Sequence, residues 1–228
     1  MQSFLIYNQY SKKRQKKDGK QSYLCKSCNR QFVKDEDRVY LGKIKYITEA
    51  VLRLLLYGAG IRTISKSLLV STKTVFRILI QAKVNLNPKK IKYEKIIIDE
   101  LWSYVQNKKN KQWVIYAICA ETKEIIGYVL GKRNISTVKK LKKIFKEKKL
   151  IISEICFDNW AAFKKVFRDA NVSVGKKFTN LIEGINCYLR HNISRLGRKT
   201  CRFSKNLENH IKHLELIFDK MNKSFLAI

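Results

Sequence analysis

The spacing of apolar and polar positions divides the chain into a helical part followed by a part with strands. Between Ile44 and Ala82 the apolar residues recur with helical spacing. Breaks at residues 58–60 and 69–71 separate three helices. Ser71 or Thr72 is suited to capping the third.

The second and third of these helices, joined by a short turn, have the pattern of a helix-turn-helix. In such a motif the later helix enters the major groove of DNA. The alternative is an ordinary three-helix bundle with a solvated basic face. The residues predicted to face DNA, with Arg62 at a phosphate, are Arg62, Lys73, Thr74 and Arg77, and Gln81 extends this surface.

Beyond Pro88, the only proline, the spacing changes to that of strands alternating with helices. Three strands come first, and helices and strands then alternate, which predicts an α/β domain. The predicted elements are strands 95–105, 112–120 and 124–131, a helix 136–148 capped by Ser136, strand 151–158, helix 161–169, strand 172–177 and a helix from residue 181.

Three acidic residues occupy the positions where such a domain places ligands. Asp99 and Asp158 come late on apolar strands, and Glu183 opens the last helix. If the two strands are parallel neighbours, their carboxylates lie side by side and repel unless a cation bridges them. Two Mg²⁺ ions, or Mn²⁺, held there would support phosphoryl transfer, with Glu183 as the remaining ligand.

Each of these acids has an ordinary structural interpretation when it is taken alone. An aspartate after a strand is usually a turn residue or a helix cap, and Glu183 alone is a surface helix residue. Glu100 is a rival ligand, but strand alternation points it to the other face of the sheet. Only the joint placement of the three acids favours an active site.

Polar and basic residues follow Glu183 along the chain. Arg190 lies about two helical turns after Glu183 and therefore on the same face, where it is suited to binding the DNA backbone. Asn186 shares that face. Around Gly197, the basic residues Arg195, Arg198 and Lys199 form either a clamp on DNA phosphates or a solvated loop.

The charge of the chain narrows the choice of partner. Lys and Arg outnumber Asp and Glu by 49 to 18, giving a net charge of +31. Double-stranded DNA is the preferred polyanion, and a membrane surface is the weaker option. Since no apolar run approaches about 20 residues and no signal pattern opens the chain, we expect a cytoplasmic protein without a membrane partner.

The cysteines and histidines offer weaker metal-binding patterns. Cys25 and Cys28, followed by Phe32, are typical of a zinc knuckle, but no second pair stands upstream, so at most a partial zinc site is predicted. The other cysteines read as reduced thiols. Two pairs have a spacing that could bind zinc on a helix, Cys187 with His191 and His210 with His213. We expect His210 and His213 to be ordinary surface residues instead of zinc ligands.

The chain resembles the transposases of insertion sequence one, which are Asp-Asp-Glu enzymes. The motifs that carry the resemblance are Asp99-Glu100-x-Trp102-x-Tyr104-Val105, Asp158-x-Trp160, Ile182-Glu183-x-x-Asn186-x-x-Leu189-Arg190, Arg195-Leu196-Gly197-Arg198-Lys199 and Phe203-Ser204-Lys205. The earlier cysteine pair of that family is missing, and Gly184 and Ile185 stand where the family usually has basic or polar residues.

The resemblance implies a domain order and an activity. The expected parts are a basic zinc-ribbon-like remnant (1–40), a helix-turn-helix domain (41–84), a linker (85–92) and an α/β, ribonuclease-H-like catalytic domain with a mixed sheet and a C-terminal helical extension (93–228). The implied enzyme binds the ends of a mobile element as a homo-oligomer on DNA and performs metal-dependent strand cleavage and transfer with Asp99, Asp158 and Glu183.

Two other functions fit the same residues. A non-catalytic sequence-specific DNA-binding protein, either a repressor or an inactive transposase derivative, would use only the helices and the basic surface. A structure-specific nuclease of the same fold would hydrolyse DNA without strand transfer.

Overall fold

The computed structural model describes residues 10–15, 21–27, 29–33, 45–175, 179–197 and 203–224. The chain forms two compact units, Met1–Ile44 and Lys45–Ile228. The predictions for Cys28, Arg198 and Lys199 fall outside the described residues. Across those ranges, no helix is both long enough and apolar enough to cross a membrane.

The first unit contains a small antiparallel sheet. Its strands, in the order β1-β2-β3, are β1 (Tyr10–Lys12), β2 (Ser22–Cys25) and β3 (Gln31–Val33). The ring of Phe32 lies 4.9 Å from that of Tyr10 and 5.8 Å from that of Tyr23. Cys25 ends β2, and its thiol lies 2.9 Å from the hydroxyl of Ser27. Aromatic contacts therefore connect all three strands.

The second unit begins with the three helices that the periodicity predicts. They are α1 (Lys45–Leu56), α2 (Ile61–Ser67) and α3 (Thr72–Gln81). Ser71 is the N-cap of α3, since its hydroxyl accepts a hydrogen bond from the Thr74 amide at 3.0 Å. Ile64 of α2 and Val75 of α3 are fully buried. The apolar faces of these helices pack together as their spacing requires.

A five-stranded mixed sheet forms the rest of this unit. Its elements in chain order are β4 (Lys92–Tyr104), β5 (Lys111–Cys119), β6 (Ile125–Gly131), α4 (Ile135–Glu147), β7 (Ile151–Phe157), α5 (Ala161–Val166), β8 (Val172–Val174), α6 (Thr179–Asn192), a 3-10 turn (Ser194–Leu196) and α7 (Leu207–Ser224). The strand order is β6-β5-β4-β7-β8, with β4, β5 and β6 antiparallel and β4, β7 and β8 parallel. The predicted order of strands and helices, and hence the mixed α/β class, is confirmed.

Helices cover both faces of the sheet because its strands are apolar on both sides. On β4, Ile96 and Ile98 contribute to the core beneath α4 and α5. Ile97 and Leu101 contribute to the core beneath α6 and α7. Neighbouring residues of β4 therefore serve opposite layers, as the alternation of a strand requires.

The N-cap of α4 differs from the prediction. The helix begins one residue earlier, and Asn134 rather than Ser136 caps it. The Asn134 side-chain oxygen accepts hydrogen bonds from the Thr137 amide at 3.0 Å and from the Ser136 hydroxyl at 3.0 Å. Asparagine caps a helix as well as serine does. Both residues fit the pattern, and the backbone conformation selects the first.

The stretch predicted as a linker is held against the sheet and α7. The Asn85 amide donates to the Asp219 carboxylate at 3.2 Å, and the Lys89 amide donates to the Glu124 carboxylate at 2.8 Å. The Lys148 ammonium donates to the carbonyl of Leu86 at 3.0 Å. These bonds fasten residues 85–89 to the body of the unit.

The three helices also contact the C-terminal part of the chain. His213 of α7 lies 3.1 Å, through Nε2, from the carbonyl of Leu55 at the end of α1. Gly58 follows α1 with φ +77°, and a Cβ there would lie 2.7 Å from the carbonyl oxygen of His191. Only glycine fits this close backbone approach without strain.

Candidate active site

The two aspartates that the sequence singled out lie on neighbouring strands. β4 and β7 pair in parallel, and the last partners in register are Ile98 and Phe157. Asp99 comes next on β4 and Asp158 directly follows β7, so the two aspartates lie beside each other where that pairing ends. The conditional prediction of parallel neighbours is confirmed. β4 runs on to Tyr104 against β5, so Asp99 lies within a strand rather than at its end.

The two carboxylates have different surroundings. Asp99 is half-buried, whereas Asp158 is exposed and its Oδ1 accepts a hydrogen bond from the Trp160 amide at 3.0 Å. Burial raises the pKa of Asp99, and the negative charge of Asp158 raises it further. The charge of Arg190 acts in the opposite direction. The pair therefore concentrates negative charge that a bound cation would neutralise.

Helix α6 is tied to Asp99 through Asn186. The Asn186 amide nitrogen donates to Asp99 Oδ2 at 2.7 Å, and its oxygen accepts a hydrogen bond from the Tyr116 hydroxyl at 2.9 Å. Asn186 is buried, so it supports Asp99 instead of contacting DNA as predicted. The reason is its position on the apolar face of α6, beside Ile182 and Leu189.

Glu183 lies one helical turn before Asn186 on α6. Its side chain is exposed, whereas that of Arg190, one turn after Asn186, is half-buried. Within the parts of the chain that the structure describes, no three His, Cys, Asp or Glu side chains form a group that could hold a metal ion. The structure thus pairs Asp99 with Asp158 and leaves Glu183 outside that pair.

The chemistry of the paired donors suits a hard divalent cation. Carboxylate oxygens are the ligands that Mg²⁺ and Mn²⁺ prefer, and Mg²⁺ commonly uses one or two of them together with water and substrate phosphates. Asp99 and Asp158 would supply those oxygens. The arrangement fits the predicted ion at these two residues.

Glu100 turns away from this pair, as strand alternation predicts. Its Oε1 accepts hydrogen bonds from Arg133 Nε at 2.8 Å and Nη2 at 2.5 Å. Burial raises the pKa of Glu100, and the bond from Arg133 lowers it in part. Glu100 is therefore an ion-pair partner on the α4 and α5 face of the sheet.

Arg195 lies inside the fold, contrary to the prediction of a phosphate clamp. Its Nη1 donates to the Ser204 hydroxyl and to the Asn209 carbonyl, both at 3.2 Å, and its guanidinium lies 5.9 Å from the Phe76 ring. Burial lowers the pKa of Arg195 to about 10. The side chain joins α3, the 3-10 turn and α7, so it is not available to DNA phosphates.

The interpretation of His210 and His213 as surface residues is wrong. His210 bridges two hydroxyls, with Nδ1 2.9 Å from Ser204 and Nε2 3.1 Å from Ser103. Burial lowers the pKa of each histidine to about 4. Their spacing on a helix indicated a polar stripe, but α7 is enclosed by the sheet and by α1 and α3, and the histidines satisfy buried polar groups.

These histidines make stability depend on pH. Each has a folded pKa near 4 against 6.5 when free, so the unfolded chain binds more protons between those values. We expect the free energy of unfolding to fall as the pH drops from about 6.5 to about 4. Urea unfolding across that range measures the fall, which should be shallower for a His210→Gln, His213→Gln double variant. Equal pH slopes for both proteins would contradict this origin.

The residues predicted to face DNA are accessible on the helices. Arg62, Lys73 and Arg77 are exposed. Thr74 is half-buried, and its hydroxyl lies 2.9 Å from that of Ser71 within the cap. Lys73 and Arg77 are one turn apart on α3, so they present two positive charges on one side of this helix.

Two residues of the site escaped the sequence interpretation. Tyr116 sits in an apolar strand and looks like core, but its hydroxyl holds Asn186. Arg133 lies in a basic stretch after β6 and looks solvated, but it pairs with Glu100. A polar tip inside an apolar strand is the one signal that pointed to Tyr116, since buried tyrosine hydroxyls need partners.

Comparison with known proteins agrees with the motifs. A family model described as IS1 transposase matches residues 95–224. The Insertion element IS1 2 protein InsB of Escherichia coli (strain K12) is 31% identical over 115 residues, which cover 50% of this chain and 68% of that protein. InsB of Shigella sonnei shows the same identity, and 86% of it is covered. The chain belongs to the IS1 transposase family.

A solved structure shows a weaker likeness. The simian T-cell lymphotropic virus intasome in complex with PP2A regulatory subunit B56 gamma contains a chain with 10% sequence identity and a TM-score of 0.41. The comparison covers 68% of this chain and 63% of that one.

Proposed function

We propose that this protein is an Asp-Asp-Glu transposase that cuts DNA at the ends of a mobile element and joins them to target DNA. The observation that carries the proposal is the register of β4 and β7, which sets Asp99 beside Asp158 in a chain of the IS1 transposase family. We assign the sheet unit to the ribonuclease-H-like fold on its strand order and on the placement of these acids.

In this proposal Asp99, Asp158 and Glu183 are the three catalytic acids. Asp99 and Asp158 would hold a divalent metal ion, and Glu183, one turn from Asn186 on α6, would supply the third carboxylate. Bound metal supplies activation of the attacking oxygen and neutralises charge on the phosphate. Asn186 keeps the Asp99 carboxylate in one orientation, and Arg190 offsets negative charge beside it.

The DNA contacts follow from the basic surfaces. We assign α2 and α3 as a helix-turn-helix with Lys73, Thr74 and Arg77 toward the major groove and Arg62 toward a phosphate. Arg198 and Lys199 are proposed phosphate contacts on the resemblance alone. Because two element ends must be joined in one reaction, the active form is proposed to be a homo-oligomer on DNA.

The test is a joining assay with the full chain, a labelled duplex carrying the element's end, and a circular target. We expect joined product with Mg²⁺ or Mn²⁺ and none when a chelator is present, because phosphoryl transfer here depends on the metal held by the acids. Cleavage without joining would indicate a nuclease. Specific binding to the end without any metal-dependent product would indicate a non-catalytic DNA-binding protein.

A further inference from the structure

A basic cleft with an aromatic wall lies on the sheet face opposite to Asp99. Its volume is about 550 Å³, and it opens between the start of β5 and the end of β6. The described residues that line it include four cationic side chains and no acidic one. They are Lys109, Asn110, Lys111, Gln112, Trp113, Gly131, Lys132 and Arg133, and we call this site the Trp113 cleft.

All three tryptophans of the chain lie on this face. Trp102 follows Glu100 by two residues on β4, so strand alternation places both on one side. Trp113 is the register partner of Trp102 on β5. Trp160 packs against the core of the same layer, with its ring 4.8 Å from that of Phe163. Each indole is half-buried, which leaves part of its surface available for contact.

Arg133 connects the cleft to the candidate active site. Its guanidinium carbon lies 4.3 Å from the ring centre of Trp160 and 5.4 Å from that of Trp113. The ion pair with Glu100 fixes its orientation. The backbone amide of Trp160 in turn donates a hydrogen bond to the Asp158 carboxylate. A continuous chain of contacts therefore runs from Trp113 to Asp158.

Helix α4 begins beside the cleft and leaves the mouth of the cleft exposed. Gly131 is the register partner of Trp113, and a Cβ on Gly131 would lie 2.8 Å from the Thr137 hydroxyl of α4. The glycine thus lets α4 sit close to β6 at this level. Since α4 begins at Ile135, the lysines at the mouth of the cleft, Lys109, Lys111 and Lys132, remain exposed.

Aromatic rings beside exposed cations form the combination that binds single-stranded nucleic acid. Bases stack on the rings, and phosphates lie against the cations. In a paired duplex the bases are stacked on one another inside the helix. Its phosphates can therefore contact the lysines, but its bases cannot stack on the indole. A cleft of this kind favours an unpaired strand over a duplex.

We propose that the Trp113 cleft binds an unpaired segment of the DNA strand next to the phosphate that is cut, with one base stacked on Trp113 and phosphates on Lys109, Lys111 and Lys132. This proposal rests on the proposed transposase function, because the cleft would bind the unpaired strand beside the acids that cut it. Arg133 and Trp160 set the distance between the stacked base and the acids.

The test is equilibrium binding of the full chain, with chelator present so that no strand is cut. The probes are a paired duplex carrying the element's end and the same duplex with unpaired bases at the cut, one of them 2-aminopurine. We expect tighter binding of the unpaired probe and quenched 2-aminopurine fluorescence. Trp113→Ala should bind that probe about tenfold more weakly, as expected for the loss of one stacked base. The same variant should no longer quench the 2-aminopurine fluorescence.

Matched variants separate stacking from folding and from charge. Trp113→Phe keeps a ring and should retain the preference, and Tyr46→Ala removes an exposed aromatic on α1 without effect. The Lys109→Gln, Lys111→Gln double variant should bind the unpaired probe with a shallower slope of log binding constant against log salt concentration. The slope should fall in magnitude by about 0.7 per lysine. The Lys139→Gln, Lys140→Gln pair on α4 should not change the preference.

The unpaired strand could come from the element end or from the target, and a third probe distinguishes them. It carries the same unpaired bases in a duplex without the end sequence. Preference only for the end probe assigns the strand to the element, and equal preference assigns the site to either strand. Equal binding of paired and unpaired probes, or unchanged quenching in Trp113→Ala, would overturn the proposal. Strand joining that persists in that case would leave the transposase function standing.

Discussion

Asp158→Asn is expected to reduce strand joining by at least about 100-fold. Metal-ion chemistry contributes several kcal/mol to such reactions, and each 1.36 kcal/mol corresponds to a tenfold change in rate. The amide removes the charge that holds the cation but keeps an oxygen that can accept the Trp160 amide hydrogen bond seen at 3.0 Å. The fold should therefore survive, and the rate of joined product in the Mg²⁺ assay measures the loss.

Asp169→Asn is the matched control for this substitution. Asp169 is also exposed, with 71% of its side chain accessible. Its carboxylate lies 3.2 Å from Arg168 Nε, and this ion pair is not part of the candidate site. Removing the same charge there should leave joining within about twofold, because exposed ion pairs contribute little. Full activity in Asp158→Asn would contradict the assignment of Asp158 as a catalytic acid.

Asn186→Ala is expected to lower joining by about 10- to 100-fold. The amide nitrogen of Asn186 is a donor to Asp99, and without it the carboxylate loses a fixed orientation. Small displacements of a catalytic group can cost about 100-fold in rate. The Mg²⁺ concentration needed for half-maximal joining should also rise, since the carboxylate that holds the ion is less well oriented.

Tyr116 separates this positioning effect from a loss of stability. Alanine at position 186 leaves the buried Tyr116 hydroxyl without its acceptor, which costs about 1–3 kcal/mol of stability. In a Tyr116→Phe background that penalty is absent, so Asn186→Ala should change joining there without a large change in unfolding. Tyr116→Phe alone keeps the Asn186 amide that donates to Asp99, so it should lose much less joining than Asn186→Ala. An Asn186→Ala variant with normal joining and a normal Mg²⁺ requirement would remove Asn186 from the site.

The parts predicted well from the sequence are those governed by local pattern. The order of strands and helices from β4 to α6 follows from apolar spacing, and Ser71, one of the two predicted caps, is the N-cap of α3. Asp99 and Asp158 are predicted as site residues because each directly follows a run of apolar residues. Parallel pairing of those strands then places the two side by side.

The errors have a common origin in helix faces that looked polar. The pattern predicts Asn186 of α6 as a DNA contact and His210 and His213 of α7 as surface residues, but all three side chains are buried. Arg195, predicted to lie in a solvated loop or a phosphate clamp, is buried as well. A polar residue is the same letter in the sequence whether its side chain is hydrogen-bonded to water or to a buried partner. Residue type alone therefore cannot distinguish an exposed polar side chain from a buried one.

The sequence alone determined the charge that calls for a polyanion, the succession of elements and the two aspartates that follow apolar runs, because these depend on neighbouring residues and on composition. Only the tertiary structure decided which polar groups face each other. The bonds between Asn186 and Asp99, Arg133 and Glu100, and His210 and Ser103 join distant positions of the chain. Their geometry is set by how the helices pack on the sheet, which no local pattern specifies.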